Sequence, residues 1–303
     1  MMRFVIYTKA ERGRHSLQAL IERGLIPVLC VAEDTEPHTR QLCDTHGIAY
    51  VNEKRPKQPS HIAMVHGHHL DLLVCAGYSK ILPAALFEPL RLGGVNCHGG
   101  KLPEYRGASP IPWQILRGER SGAAYVLRMT AGIDDGPVLA SEAYTIEPHD
   151  TARSVTDKVT AIFSRIVPDV VQQCATTGVP AGAPQDETAA CHWTRRTPED
   201  GEIDWAQMRA REVVDLVRAL DDPYPGAYIT HQGARLIVRR ARVVEKRMAG
   251  VAGRCVGKTA DGTLILAADG AVEILGFDAN GQIAPGRDLP VKYGDTFRPS
   301  PAR

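Results

Sequence analysis

No apolar run in this chain approaches about 18 residues, the length a membrane-spanning helix requires, so nothing reads as a bilayer span. Cysteine is present but unpatterned: there are seven, an odd number, with no C-x-x-C spacing. That excludes a disulfide framework. Most lie inside apolar runs, Cys30 in "IPVLCVA" and Cys75 in "LLVCAG", the pattern of reduced, buried thiols in a cytoplasmic protein. Charge of one sign is lacking too. The formal net charge is +1, which favours neither nucleic acid nor an anionic membrane as a whole-protein partner. The opening "MMRFVIYTKAERG" is too short for a secretory apolar core and has no cleavage site, so no leader is expected. No G-x-G-x-x-G follows the first strand, which argues against a dinucleotide. There is no internal repeat.

What is present is a soluble, globular balance. The chain has 303 residues, 44% hydrophobic and 23% charged, enough to bury a sizeable core. Its first 95 residues alternate strand and helix signals: "RFVIYT", then "RHSLQALIERG"; "IPVLCVA", then "PHTRQLCDTHG"; "IAYV", then a helix around His61 to Val65. "LDLLVCAG" is a continuous apolar run of the kind buried on both faces, "PAALFEPLRLGG" reads as a helix, and "VNCH" closes the series. That rhythm predicts an α/β fold, a mostly parallel sheet with helices on both sides. Farther on, "GAAYVLRMT" and "GPVLASEAYTI" read as strands joined by "AGIDDG", and a long helix runs from about Thr151 to Cys174. "ATTGVPAGAPQDETAA" is a linker by composition. Beyond it come one helix, "AREVVDLVRAL", and short strands with Gly and Asp turns, the grammar of a small β-barrel. The expected domains are residues 1–190, α/β, and 191–303, β-rich.

The segment "VNCHGGKLPEYRG" is more elaborate than a strand end requires. Side chains alternate along a strand, so Asn96 and His98 share one face and Cys97 takes the other. An amide donor and an imidazole then stand together at the carboxyl end of a strand, where open α/β sheets bind ligands. "GG" lets the backbone turn away without crowding. In "GIDDG", Asp135-Gly136 is explained as a hairpin turn, but Asp134 is not. An acid in that Gly-flanked loop has the reach to return to the rim.

The stretch from "NCHGGKLPEYRGASPIPWQILRGE" to "GIDDGPVL" resembles the signature of formyltransferases that use 10-formyltetrahydrofolate. "WTRRTPEDGEIDW" and "VRALDDPYPGAY" resemble the junction and second-domain start of the methionyl-tRNA and amino-sugar members, so the likeness covers most of the chain. It implies a Rossmann-like domain followed by an oligonucleotide-fold-like β-barrel (OB-like) domain. It assigns catalysis to Asn96, His98 and Asp134, with Asp135 in the variable place. It assigns contact with the folate cosubstrate to Lys80, Ile81 and Leu82 and to the loop Thr130, Ala131, Gly132, Ile133 and Asp134. In such chemistry Asn96 donates to the oxyanion, and His98 either takes the amine's proton or acts as imidazolium, with Asp134 orienting it. The amine is itself the nucleophile, so Cys97 has no role.

Two departures from the signature bear on the acceptor. "HGGKLP" places Gly100 where a small hydroxyl residue is usual, followed by Lys101. The first β-α turn, "YTKAERGRHS", lacks the Gly-Ser-rich phosphate loop of the glycinamide ribonucleotide enzymes. Lys101, Tyr105 and Arg106 are the candidate acceptor-binding residues, and Trp113 is a candidate wall of the cleft. The expected acceptor is a small primary amine, a nucleotide-linked amino sugar. Methionyl-tRNA is the runner-up, and a nucleic-acid partner is not expected, because no basic loop interrupts the run after Arg106. An ornithine-type amino acid and an inactive folate-binding module are further alternatives. "HGHH", His66 to His69, has no acidic or Cys partner nearby in sequence, so no metal is expected. A homodimer is suggested by likeness alone.

Overall fold

The computed structural model describes residues 2–298. It divides into two compact units. One comprises the chain up to Pro110 with Ser121–Thr145 and Thr156–Trp193; the other comprises Ile111–Arg120, Ile146–Val155 and the chain from Thr194 onward.

In the first unit the strands are β1 (Phe4–Thr8), β2 (Leu29–Ala32), β3 (Ala49–Asn52), β4 (Leu72–Ala76), β5 (Gly94–His98), β6 (Arg106–Gly107), β7 (Ser121–Arg128), β8 (Val138–Thr145) and β9 (His192–Trp193). Seven of these form one sheet in the order β3-β2-β1-β4-β5-β7-β8. The first five are parallel and the last two antiparallel. Every residue of β1, β2 and β4 is buried, which explains their unbroken apolar runs. The connections include α1 (Ala10–Glu22), α2 (Pro37–His46) and α3 (Pro59–His66). α2 begins at Pro37 because proline suits the first helical position, with the Glu36 carboxylate accepting from Thr39 N at 2.6 Å; it stops at Gly47, in the left-handed region at φ 66°. Strand order reverses between β1 and β4, so the crevice expected of such sheets lies at their carboxyl ends, next to β5.

The helix expected from "PAALFEPLRLGG" is a correction. Only one 3₁₀ turn forms, Ala84–Leu86. Pro89 lacks the N–H a further turn needs, and its ring disfavours helical geometry at Glu88. α4 (Pro110–Leu116) and the long α5 (Ala152–Thr177) follow, the latter reaching past Cys174.

The second unit holds α6 (Ala210–Ala219) and six strands: β10 (Ala227–His231), β11 (Ala234–Val243), β12 (Cys255–Lys258), β13 (Thr263–Leu266), β14 (Ala271–Ala279) and β15 (Gln282–Pro285). They pair antiparallel in the order β10-β11-β14-β13-β12, with β15 on β14. Irregular registers at Val238/Arg240 and Cys255/Gly257 bend the strands and curl the sheet, in keeping with the β-rich class read from the sequence. Trp205, Val213, Leu216, Leu220, Val238, Ile265 and Ile274 share its core. Each such side chain contributes about 1.5–3 kcal/mol by leaving water.

Candidate active site

Three side chains from two segments of the first unit meet at one carboxylate. β5 ends on Asn96 and His98, and alternation along the strand puts both on the same face. The β7–β8 hairpin brings Asp134 across to them. Asn96 Nδ2 donates to Asp134 Oδ1 at 2.9 Å, and His98 Nδ1 lies 3.3 Å from Asp134 Oδ2. The Gly107 N–H also donates to Oδ2, at 2.9 Å. His98 and Asp134 are almost enclosed, with side chains 6% and 10% exposed. Burial pushes the Asp134 carboxyl up, but the His98 ring and the Gly107 N–H outweigh it and hold the group below the usual carboxylate range.

The far side of the imidazole is also occupied: His98 Nε2 lies 2.7 Å from the Tyr105 carbonyl oxygen. Both ring nitrogens therefore face oxygen acceptors. An imidazolium with ionised Asp134 satisfies both, because each nitrogen then carries a proton to donate.

Asp134 sits at φ 54°, a conformation that costs a non-glycine residue about 1–3 kcal/mol and is held only by surrounding contacts. Gly107, at φ 93°, is required on two counts. The angle suits glycine, and a Cβ there would come 2.6 Å from the Trp193 carbonyl oxygen. Gly100 is required for space: a Cβ would lie 2.3 Å from Pro110 Cβ and 3.1 Å from His98 Nε2. The residue type that departs from the resemblance is the one this packing admits.

The other candidate residues have different surroundings. Ile81 and Ile133 are exposed at 60% and 43%, while Leu82 is buried. Thr130 Oγ1 bonds the Asp135 carboxylate, and Gly132 N donates to Thr130 Oγ1 at 3.3 Å, so Asp135 braces the hairpin loop while Asp134 points inward. Ala131 and Gly132 are at the surface. Lys80 Nζ lies 3.7 Å from Glu33. Glu33 also accepts from Ser79 N and Ser79 Oγ, each at 2.7 Å, and from Lys9 Nζ at 3.2 Å. Burial pushes the Glu33 carboxyl up, and the Ser79 and Lys9 bonds bring it below its ordinary value. Glu33 thus fixes the loop after β4, a role its place at a strand end did not announce.

Lys101 pairs with Glu104 at 3.0 Å and stays half-exposed. Tyr105 is buried and stacks on Trp193 at 5.5 Å between ring centroids. Arg106 is 2% exposed, with its guanidinium given to Gln185 Oε1 (3.2 and 3.0 Å) and to the Glu187 carboxylate. Tyr105 and Arg106 therefore hold their loop together through side chains and offer no open surface. Trp113, in the second unit, donates Nε1 to the Thr194 carbonyl at 2.8 Å and carries Arg196 over its ring. Cys97 is half-buried, and desolvation pushes its thiol up, away from thiolate. His66 Nε2 lies 2.8 Å from the Ala85 carbonyl, and the His68 carbonyl accepts from Arg3. Among the described residues no group of three His, Cys, Asp or Glu is arranged to hold a metal. Among the described residues, too, no helix is long and apolar enough to cross a membrane.

An amide, an imidazole and a carboxylate at the carboxyl edge of a switch-point sheet define a centre suited to polar group transfer. The chain belongs to the formyl transferase family: residues 19–171 match Formyl transferase and residues 195–289 match Formyl transferase, C-terminal domain. It is a formyltransferase by that membership. It is 29% identical over 269 residues to the methionyl-tRNA formyltransferase of Geobacter metallireducens, covering 86% of this chain and 85% of that one. In fold it is similar to HypX from Aquifex aeolicus, solved with tetrahydrofolic acid, with a TM-score of 0.66 and 19% identity over 98% of this chain; the chain spans half of HypX. It is also similar to the N-formyltransferase from Helicobacter canadensis, solved with folinic acid and dTDP-3-aminofucose. There the TM-score is 0.66 at 12% identity, covering 91% of this chain and 99% of that one.

Proposed function

We propose that the protein transfers the formyl group of 10-formyltetrahydrofolate to the primary amine of a nucleotide-linked amino sugar, with Asn96, His98 and Asp134 as its catalytic residues. The observation that carries the reading is the meeting of all three side chains at the Asp134 carboxylate. Folate supplies the activated one-carbon unit. The residues suit it: Ile81 and Ile133 are exposed apolar side chains, the kind of surface that the face of a heterocycle covers.

Asn96 gives one amide hydrogen to Asp134, which leaves the second for the oxygen that gains charge as the amine attacks the formyl carbon. His98, protonated on both nitrogens, places positive charge beside that oxygen. Once the Tyr105 carbonyl releases it, the Nε2 proton passes to the leaving nitrogen, and the attacking amine reprotonates the ring, so no net proton is consumed. Asp134 sustains the imidazolium throughout. Lys101, paired with Glu104 at 3.0 Å and half-exposed, supplies the positive charge that an acceptor phosphate would share with that carboxylate.

The small-acceptor reading is supported by the near-neutral charge and by the Helicobacter canadensis likeness, in which both chains are covered almost completely. The methionyl-tRNA reading is supported by the Geobacter metallireducens relative. The two separate when the protein is incubated with 10-formyltetrahydrofolate, a panel of amino-sugar nucleotides and charged initiator tRNA. The expected result is a gain of one CO in the mass of a sugar nucleotide. Formylation of the tRNA alone would replace the sugar reading.

A further inference from the structure

We propose that Gln185 is a positioning residue for Asp134, tying the main chain of that residue to the buried guanidinium of Arg106. Gln185 lies in the Gly-, Ala- and Pro-rich stretch after α5, which composition alone marks as a linker. Its Nε2 donates to two carbonyl oxygens of the hairpin loop, those of Asp134 and Gly136, each at 2.8 Å. Its Oε1 accepts from Arg106 Nε and Nη2. Every hydrogen and lone pair of the amide is thereby used, and the opposite amide orientation would set an oxygen against two carbonyls.

The arrangement grips Asp134 from both ends. Arg106 reaches the aspartate's main chain through Gln185. Gly107, the next residue, holds its carboxylate directly through the N–H. The segment carrying Gln185 is fastened on both sides. Ala183 and Val138 exchange backbone bonds at 2.8 Å, Arg106 N donates to the Cys191 carbonyl at 3.0 Å, and Cys191 N donates to Pro103 O at 3.1 Å. Glu187 closes the outer face of Arg106. A left-handed aspartate whose carbonyl is fixed this way has little freedom to swing its carboxylate away from His98. Removing the tether leaves the side-chain contacts in place but lets the loop carrying them drift.

The inference rests on the reading of Asp134 as the site carboxylate. It is tested with Gln185→Ala and Gln185→Glu. The second keeps oxygens for Arg106 but cannot donate to carbonyls when ionised. Wild-type formyl transfer is measured first, so that its absence, which sinks the functional reading, is seen apart from any effect of the variants. Amide hydrogen exchange of the 130–137 segment needs no substrate and reads the tether itself.

The expected result is faster exchange in that segment, unchanged exchange in β1 and β4, and cooperative thermal unfolding in both variants, with the midpoint lowered in Gln185→Ala because buried Arg106 loses a partner. In both variants kcat falls by at least about tenfold, toward the roughly hundredfold that a displacement of about 1 Å costs, with KM for donor and acceptor within about twofold of wild type. Asp186→Asn, on the same segment, keeps wild-type values. Unchanged exchange in 130–137, or wild-type kcat in Gln185→Glu, overturns the proposal.

Discussion

Asp134 Oδ2 lies 3.3 Å from His98 Nδ1 while Oδ1 of the same carboxylate takes the Asn96 amide at 2.9 Å, so one acid fixes both partners at once. Asp134→Asn replaces one carboxylate oxygen with an amide that cannot accept. It is expected to lower kcat by orders of magnitude with the fold retained. Asn96→Ala removes the proposed oxyanion donor and is expected to cost about 2.7–4 kcal/mol of barrier. Steady-state kinetics beside circular dichroism check both; full activity in either variant contradicts the mechanism.

Gly100→Ser restores the residue type usual in the resemblance but introduces a Cβ 2.3 Å from Pro110 and 3.1 Å from His98 Nε2. Overpacking of this kind costs about 1–3 kcal/mol. Here it also pushes on the imidazole. Lower thermal stability together with lower kcat is the expected outcome, measured by unfolding and turnover of the same preparation.

In the second unit Arg218 and Asp215 are both buried and bond at 2.7 Å, with Arg218 also reaching the Asp150 carbonyl at 3.0 Å. Asp215→Ala leaves that guanidinium buried without its carboxylate, at a cost of about 3–5 kcal/mol. Asp215→Asn, which keeps an acceptor, is expected to cost less. Denaturant midpoints of the two variants order them.

Glu33 and Asp134 both have folded-state values below their ordinary ones. Such carboxylates contribute stability that is fully present above their unfolded values, 4.5 and 3.8, and is lost as pH falls through the depressed folded values. Stability is therefore expected to drop on acidification below ~4.5, and Glu33→Gln is expected to flatten that drop. Urea midpoints across the acid range report it. An identical slope in wild type and variant removes Glu33 from the account.

The sequence made the alternating strands and helices of the first unit legible because β1, β2 and β4 are buried on both faces and carry nothing but apolar and small residues. Asn96 and His98 were legible from strand alternation, and Asp134 because a hairpin turn explains Asp135-Gly136 and leaves it over. The helix expected at residues 83–94 failed on Pro89, whose local chemistry overrides the apolar spacing. β12 and β15 carry too few apolar residues to stand out from their turns. Gln185 and Glu187 were hidden for a different reason. A loop's composition says that it is irregular but not which distant backbone its side chains will bond, and their partners lie 49 to 81 residues away in sequence. Tyr105 and Arg106 looked available for ligands because burial is set by that same returning segment.

The most direct test of the central claim follows the formyl carbon itself. With 10-formyltetrahydrofolate isotopically labelled at that carbon, wild-type protein is expected to place the label on the amine of a sugar nucleotide, and His98→Ala is expected to place none within many wild-type turnovers. Label transfer by His98→Ala at the wild-type rate would contradict the account.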